Sequence, residues 1–141
     1  MTGQTTDGAG VAFAENMWAD DQASRGLGME ALAIEQDHAI VRMRIREDMV
    51  NGHAICHGGF VFALADSAFA LACNSRGALT VAAGGDITFT SPSRLGDVLV
   101  AEARVRTAYG RSGITDVTVK RESDGHIVAE FRGRSRSVRP S

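Results

Sequence analysis

Residues 57–75 read HGGFVFALADSAFALACNS, and after His57 the one side chain in them that is charged at neutral pH is the carboxylate of Asp66. The stretch is too long and too rich in Ala and Leu for a strand; it contains no proline, its glycines stand only at its start, and Gly77 follows its end. These features predict a helix over 58 to about 76. A helix that is apolar almost all round has to be wrapped by other protein. The remainder of the chain must therefore supply an apolar surface large enough to receive it.

The flanking sequence alternates with the period of a half-buried strand. VAAGGDITFT, DVLVAEARVRTAY, GITDVTVKRE and HIVAEFRGRSRSV follow the helix, separated by turn signals at Pro92–Gly96, at Gly110–Gly113 and at Asp124-Gly125, a strong hairpin dipeptide. Ahead of it, AIVRMRIR sets Val41, Met43 and Ile45 against Arg42, Arg44 and Arg46, and MEALAIE fits as its hairpin partner. Further upstream, Val11, Phe13, Ala14, Met17 and Trp18 recur at helical spacing until Gly26 and Gly28 end the pattern. Residues 1–10 are Gly/Thr-rich without periodicity and are expected to form a loose tail, leaving 11–141 as a single domain. The layout is α+β: an antiparallel sheet wrapped around one long central helix.

Bulk properties limit the partners. With 15 basic and 17 acidic side chains, a formal charge of −2 marks neither a nucleic-acid binder nor a polybasic membrane binder. Two cysteines, Cys56 and Cys73, are too few for a disulfide framework, and MTGQTTDGAG has neither a basic start nor an apolar signal core. The longest apolar run is interrupted by Asp66 and falls short of the roughly 18 residues a spanning helix needs. A cytoplasmic protein with no membrane and no nucleic-acid partner is the expectation.

Asp66 then becomes the residue to explain. A carboxylate in an apolar helix suffers a desolvation penalty unless it is paired, and no Arg, Lys or His lies one turn away on either side. Burial without a cation would raise its pKa and make it a stronger base or nucleophile. A structural reading competes with that one: a helical Asp bonded to a neighbouring strand, or one facing water at an interface. His57-Gly58-Gly59 stands where the helix should begin, so its amides lack helical partners and carry the positive end of the helix dipole. Glycine there lets a carbonyl approach the Gly58 amide, although a glycine demanded only by a turn reads equally well. His53, Cys56 and His57 form an H-x-x-C-H cluster, but no second ligand pair accompanies it, so no metal is expected and turn packing accounts for it. Cys73 reads as a small core residue, and Arg132, Arg134 and Arg136 as a solvated or cross-strand-paired face with Glu130 and Glu102 as its expected partners.

NGHAICHGGFVFALADSAFALACNS resembles the PaaI-like branch of the hotdog-fold acyl-CoA thioesterases, whose signature is Asn-Gly before His-Gly-Gly, then Leu-Ala-Asp within the central helix. The likeness runs from MWADD to EFRGRSR and includes DITFTSPSRLGDVL. It implies hydrolysis of an acyl-CoA thioester, of aromatic phenylacetyl type, to the free acid and CoA. Asp66 would act as nucleophile or general base and Gly58 would polarise the carbonyl, with Asn51, His57 and Ser67 as supporting groups. For Ser67, a bond back to its own helix backbone is an equally good reading.

Gly58 and Asp66 lie eight residues apart, about 12 Å along one helix, so one carbonyl cannot meet both groups of the same chain. If both act on one thioester, two chains must contribute, which implies a homodimer and, by family likeness, a dimer of dimers, a homotetramer. For the CoA diphosphate the expected contacts are Asn74, Arg94, Arg111 and Ser112; no cofactor beyond the CoA of the substrate is expected. Two departures from the family pattern stand out: Ser91 precedes Pro92 where Arg is common, and Asp20 stands in MWADD where Asn is common. The alternatives on the same fold are a non-catalytic acyl-CoA sensor and an enoyl-CoA hydratase or dehydratase.

Overall fold

Six antiparallel strands form one sheet, and every strand of it touches the central helix. A computed structural model of the chain describes residues 3–138, with side chains described from residue 8 onward. In chain order the elements are helix α1 (Gly3–Ala19), helix α2 (Gln22–Gly26), strands β1 (Glu30–Glu35) and β2 (His38–Arg44), a 3-10 turn (Glu47–Met49), helix α3 (Gly58–Cys73), and strands β3 (Thr80–Phe89), β4 (Val98–Tyr109), β5 (Ser112–Arg121) and β6 (Ile127–Ser137). Spatially the strands run β1-β2-β4-β5-β6-β3. The α+β expectation and every predicted strand are present.

Alternation places the core. From β2, Ala39, Val41 and Met43 turn inward together with Ile45 just beyond the strand, while the arginines between them face out. Leu99, Ala101 and Ala103 of β4, Val117 and Val119 of β5, and Ala129 and Phe131 of β6 continue the same surface. Against it α3 lays Val61, Leu64, Ala65, Ala68, Phe69, Leu71 and Ala72. Leu64 is wholly buried, so truncating it to Ala should cost about 2–5 kcal/mol. The edge strand β3 differs: Val81 and Phe89 stay exposed, and only β6 pairs with it.

Three expectations change. α1 begins at Gly3, so residues 3–10, expected as tail, continue the helix; residues 1–2 and 139–141 lie outside the described residues. The helix docks at Gly10, where a Cβ would collide with the Ser75 carbonyl oxygen, so only glycine permits the approach to the end of α3. The upstream helix is also two helices, because Asp21 takes an extended conformation and caps α2 with its own side chain. Finally, α3 is covered along its length on the sheet side, while α1 and α2 touch its other side only locally. A stripe through Gly59, Ala63, Asp66, Ala70 and Cys73, at helical spacing, remains outside the sheet's cover.

Candidate active site

The loop before α3 is fixed by its own backbone and by Asn51. Asn51 Oδ1 accepts from the amides of His53 (2.9 Å) and Ile55 (3.1 Å), and the Asn51 amide donates to the Ile55 carbonyl (2.9 Å). The His57 amide donates to Met49 O (2.9 Å) and that of Cys56 to Ser93 O (2.8 Å), which ties the helix start to the β3–β4 connection. His57 is the N-cap, in extended conformation, and its side chain makes no capping bond. The helix start thus presents amides that its cap residue does not satisfy. A cleft beside it is lined by Ile55, Cys56, Gly58, Phe89, Ser91 and Ser93.

Asp66 occupies a second cleft, between α2 and the uncovered stripe of α3, lined by Asp21, Ser24, Leu27, Met29, Ala63 and Ser67 among others. Asp66 as a residue is exposed on the outer side in the single chain. The surrounding apolar wall desolvates it nevertheless, and this, followed by the negative charge of Asp21, raises its pKa above the ordinary carboxylate value. No cation answers it: the bonds and ion pairs among the described residues leave its carboxylate without an Arg, Lys or His partner. Ser67 does not bond back to its helix. Its Oγ lies 2.7 Å from Ser24 Oγ, which itself donates to Asp21 Oδ2 at 2.7 Å.

The two clefts share no residue, and the rise of α3 separates Gly58 from Asp66 by about 12 Å. Gly58 therefore stands with Asn51 and His57 at the start of α3, and Asp66 and Ser67 line the other cleft. Asp21, Ser24 and Phe89 were not singled out from the sequence. The D-x-x-S spacing of Asp21 and Ser24 signals a helix start, but its connection to Ser67 spans 43 residues and is created by folding.

The four residues expected at the CoA diphosphate do not gather. Arg94 is exposed, pairs with Ile55 across a β-bridge, and so stands beside the cleft that Gly58 lines. Arg111 lies in the β4–β5 turn and Ser112 opens β5, near the far end of α3; the Arg111 guanidinium donates to Ser137 O at 3.0 Å, and Ser112 Oγ accepts from Arg136 at 3.4 Å. Asn74 is corrected outright. It is buried, and its amide donates to Ala70 O (2.8 Å) and Thr80 O (2.9 Å) while its Oδ1 accepts from the Thr80 amide (2.8 Å), so it locks α3 to β3 and has nothing left for a phosphate.

The arginine row is paired across strands: Arg132 holds Asp116 through two bonds (2.6 and 2.9 Å) and Arg134 holds Asp86 (2.9 Å). The partners are these aspartates rather than the expected Glu130 and Glu102. Burial pushes the thiols of Cys56 and Cys73 up to about 11 and about 12, away from the thiolate a metal would need. Among the described residues no group of three or more His, Cys, Asp or Glu is placed to hold a metal ion. None of their helices is long and apolar enough to cross a membrane.

Residues 53–128 match the model of the thioesterase superfamily. The acyl-coenzyme A thioesterase PaaI of Escherichia coli K12 is 38% identical over 125 residues, covering 89% of each chain. Human acyl-coenzyme A thioesterase 13 is 33% identical over 95 residues, 66% of this chain and 68% of its own. Among solved structures, the E. coli PaaI protein from the phenylacetic acid degradation operon superposes with a TM-score of 0.90 at 36% identity, covering 96% of this chain and 97% of that one. A mutant of the phenylacetic acid degradation protein PaaI from Thermus thermophilus does so with a TM-score of 0.79 at 35% identity, covering 84% and 100%.

Proposed function

Because the chain belongs to the thioesterase superfamily and has its hotdog fold, we propose that it hydrolyses acyl-CoA thioesters, with phenylacetyl-type aromatic esters as the substrate class. The E. coli relative, named an acyl-CoA thioesterase and encoded in a phenylacetic acid degradation operon, supports both parts. The single observation that carries the mechanism is the distribution of the site: an acid of raised pKa in one cleft, and a glycine-lined helix start in another. In a homodimer the Gly58 half-site of one subunit would face the Asp66 half-site of its partner.

The uncovered stripe of α3 and the apolar, one-sided edge β3 support such pairing, since an exposed apolar edge strand invites a second chain. Pairing of dimers into a homotetramer belongs to the same proposal. Water attacks the thioester carbonyl and passes its proton to Asp66 while charge on the carbonyl oxygen is met by the Gly58 amide. The C–S bond breaks, the CoA thiolate takes up a proton, and the free acid leaves. Direct attack by Asp66, giving a mixed anhydride that water then opens, uses the same groups.

Asn51 and His57 set the helix start, and Arg94 at the rim of the Gly58 cleft is the cation offered to the CoA phosphates. Neither route needs a cofactor. Two unpaired thiols suit a reducing, cytoplasmic setting.

The test is release of free thiol from a panel of acyl-CoAs by the native protein and by Asp66→Asn. Turnover on aryl esters that drops by about 10²–10⁴ in the variant supports the reading. Turnover that survives the substitution removes Asp66 from the mechanism, and tight binding without turnover on any ester replaces the enzyme with a sensor.

A further inference from the structure

The Asp66 cleft contains a chain of hydrogen bonds that the reaction as described leaves unused: Asp21 to Ser24 to Ser67. We propose that Asp21 and Ser24 are positioning residues that set the direction of this chain, so that Ser67 meets the reacting water as an acceptor and not as a donor. The inference rests on the reading of Asp66 as the group that activates that water.

The direction follows from proton inventory. A carboxylate only accepts, so Ser24 Oγ–H donates to Asp21 Oδ2 at 2.7 Å. Asp21 is held in that orientation, because its other oxygen accepts the Ser24 amide at 2.9 Å as the cap of α2. A hydroxyl has one proton, and that of Ser24 is now committed. Across the 2.7 Å contact with Ser67, Ser24 must therefore accept and Ser67 donate. Ser24 is 3% exposed, so bulk water does not compete for these bonds. Ser67 is left with lone pairs and no proton for the cleft that it lines together with Asp66.

The consequence is chemical. A water poised for attack gives one hydrogen to Asp66 and needs an acceptor for its second, which Ser67 Oγ provides. Were Ser67 to donate into the cleft, it would bond the Asp66 carboxylate, favour its charged form and make it a weaker base. The charge of Asp21 acts in the same sense, raising the pKa of Asp66. The titratable groups coupled to Asp66 are Asp21, at the start of α2, and the Cys73 thiol, on α3 itself; Leu27, Met29, Ala63 and Ala70 along the cleft carry no charge.

Asp21→Asn tests the direction at nearly constant shape but also removes the Asp21 charge that helps raise the Asp66 pKa, so Ser24→Ala, which keeps that charge, isolates the direction in the acid limb. Asn is as good a cap as Asp, but its amide donates to Ser24, so the chain reverses and Ser67 donates into the cleft. Steady-state thiol release should show kcat down about tenfold with KM little changed, and the acid limb of the kcat/KM profile moved to lower pH. Ser24→Ala, which releases Ser67 from its acceptor, should do the same, and thermal melts on both preparations report folding. Native kcat with a native acid limb in either folded variant overturns the inference. Full turnover by Asp66→Asn defeats the reading of Asp66 itself, whereas a dead Asp66→Asn beside fully active Asp21→Asn and Ser24→Ala defeats the directed chain alone.

Discussion

The ring of Phe89 occupies the space that a side chain on Gly58 would need: a Cβ there would lie 2.6 Å from the ring Cζ. The approach explains why the first helical residue lacks a side chain, and it makes Phe89, at the end of the edge strand β3, a wall of the cleft where a carbonyl would meet the Gly58 amide.

Gly58→Ala keeps the amide but displaces the ring and narrows the approach. Thiol release should fall about tenfold to a hundredfold with the fold retained, since Phe89 is half exposed and free to swing outward. Adding Phe89→Ala should return part of the loss, and a double-mutant cycle measures the coupling. Strict additivity of the two changes would show that the ring and the glycine act independently.

Asp66→Asn should cost activity and gain stability. The folded pKa of Asp66 is raised, so its ionisation is penalised in the folded state; native stability is fully present below the unfolded-state pKa and is eroded as pH rises through the folded value. Replacing the acid should therefore raise Tm at neutral pH and leave it unchanged in acid, where both states are protonated. For the same reason native activity should decline as pH falls through the raised pKa. A variant that melts lower at neutral pH contradicts the assigned shift.

Asn74→Ala should act on stability and not on CoA recognition. It removes three bonds and takes the side-chain partner from the Thr80 amide and carbonyl next to a buried position, while the Ala70 carbonyl keeps the residue 74 amide, a loss of about 2–3 kcal/mol in denaturant unfolding. KM for a CoA ester should stay within twofold of native, while Arg94→Ala should raise it several-fold at low salt. The opposite pattern would return Asn74 to the phosphate site.

Mixing two crippled proteins tests whether sites are shared between subunits. Refolding Asp66→Asn with Gly58→Ala in equal amounts yields heterodimers in half of the population, each with one intact site, so activity should recover to about a quarter of native. A mixture no better than the mean of its components would place both groups of a working site in one chain.

How far this was legible in the sequence varies element by element. Val41, Met43 and Ile45 announce which face of β2 is buried, because side chains alternate across a strand whatever its neighbours do. The length and apolarity of 58–73 announce the central helix in the same local way, and His-Gly-Gly marks its start. The upstream helix was less legible, because its break at Asp21 depends on a cap competing with helical periodicity. The phosphate contacts were least so: Asn74 and Arg94 carry suitable polar groups in the sequence, and only folding decides that one is used up inside and the other left free on the surface.

By itself the sequence determined the central helix, the order of the strands around it, the faces they bury and the acid stranded on that apolar helix, since each follows from residue spacing along a few turns or pleats. The tertiary structure alone decided that this acid stands on the uncovered side of α3, that it meets Asp21 and a Ser24–Ser67 bridge there, and that the helix start is walled by Phe89. Those relations join residues distant in the chain, and their distances are set by how the sheet and α2 pack against α3, which no local pattern encodes.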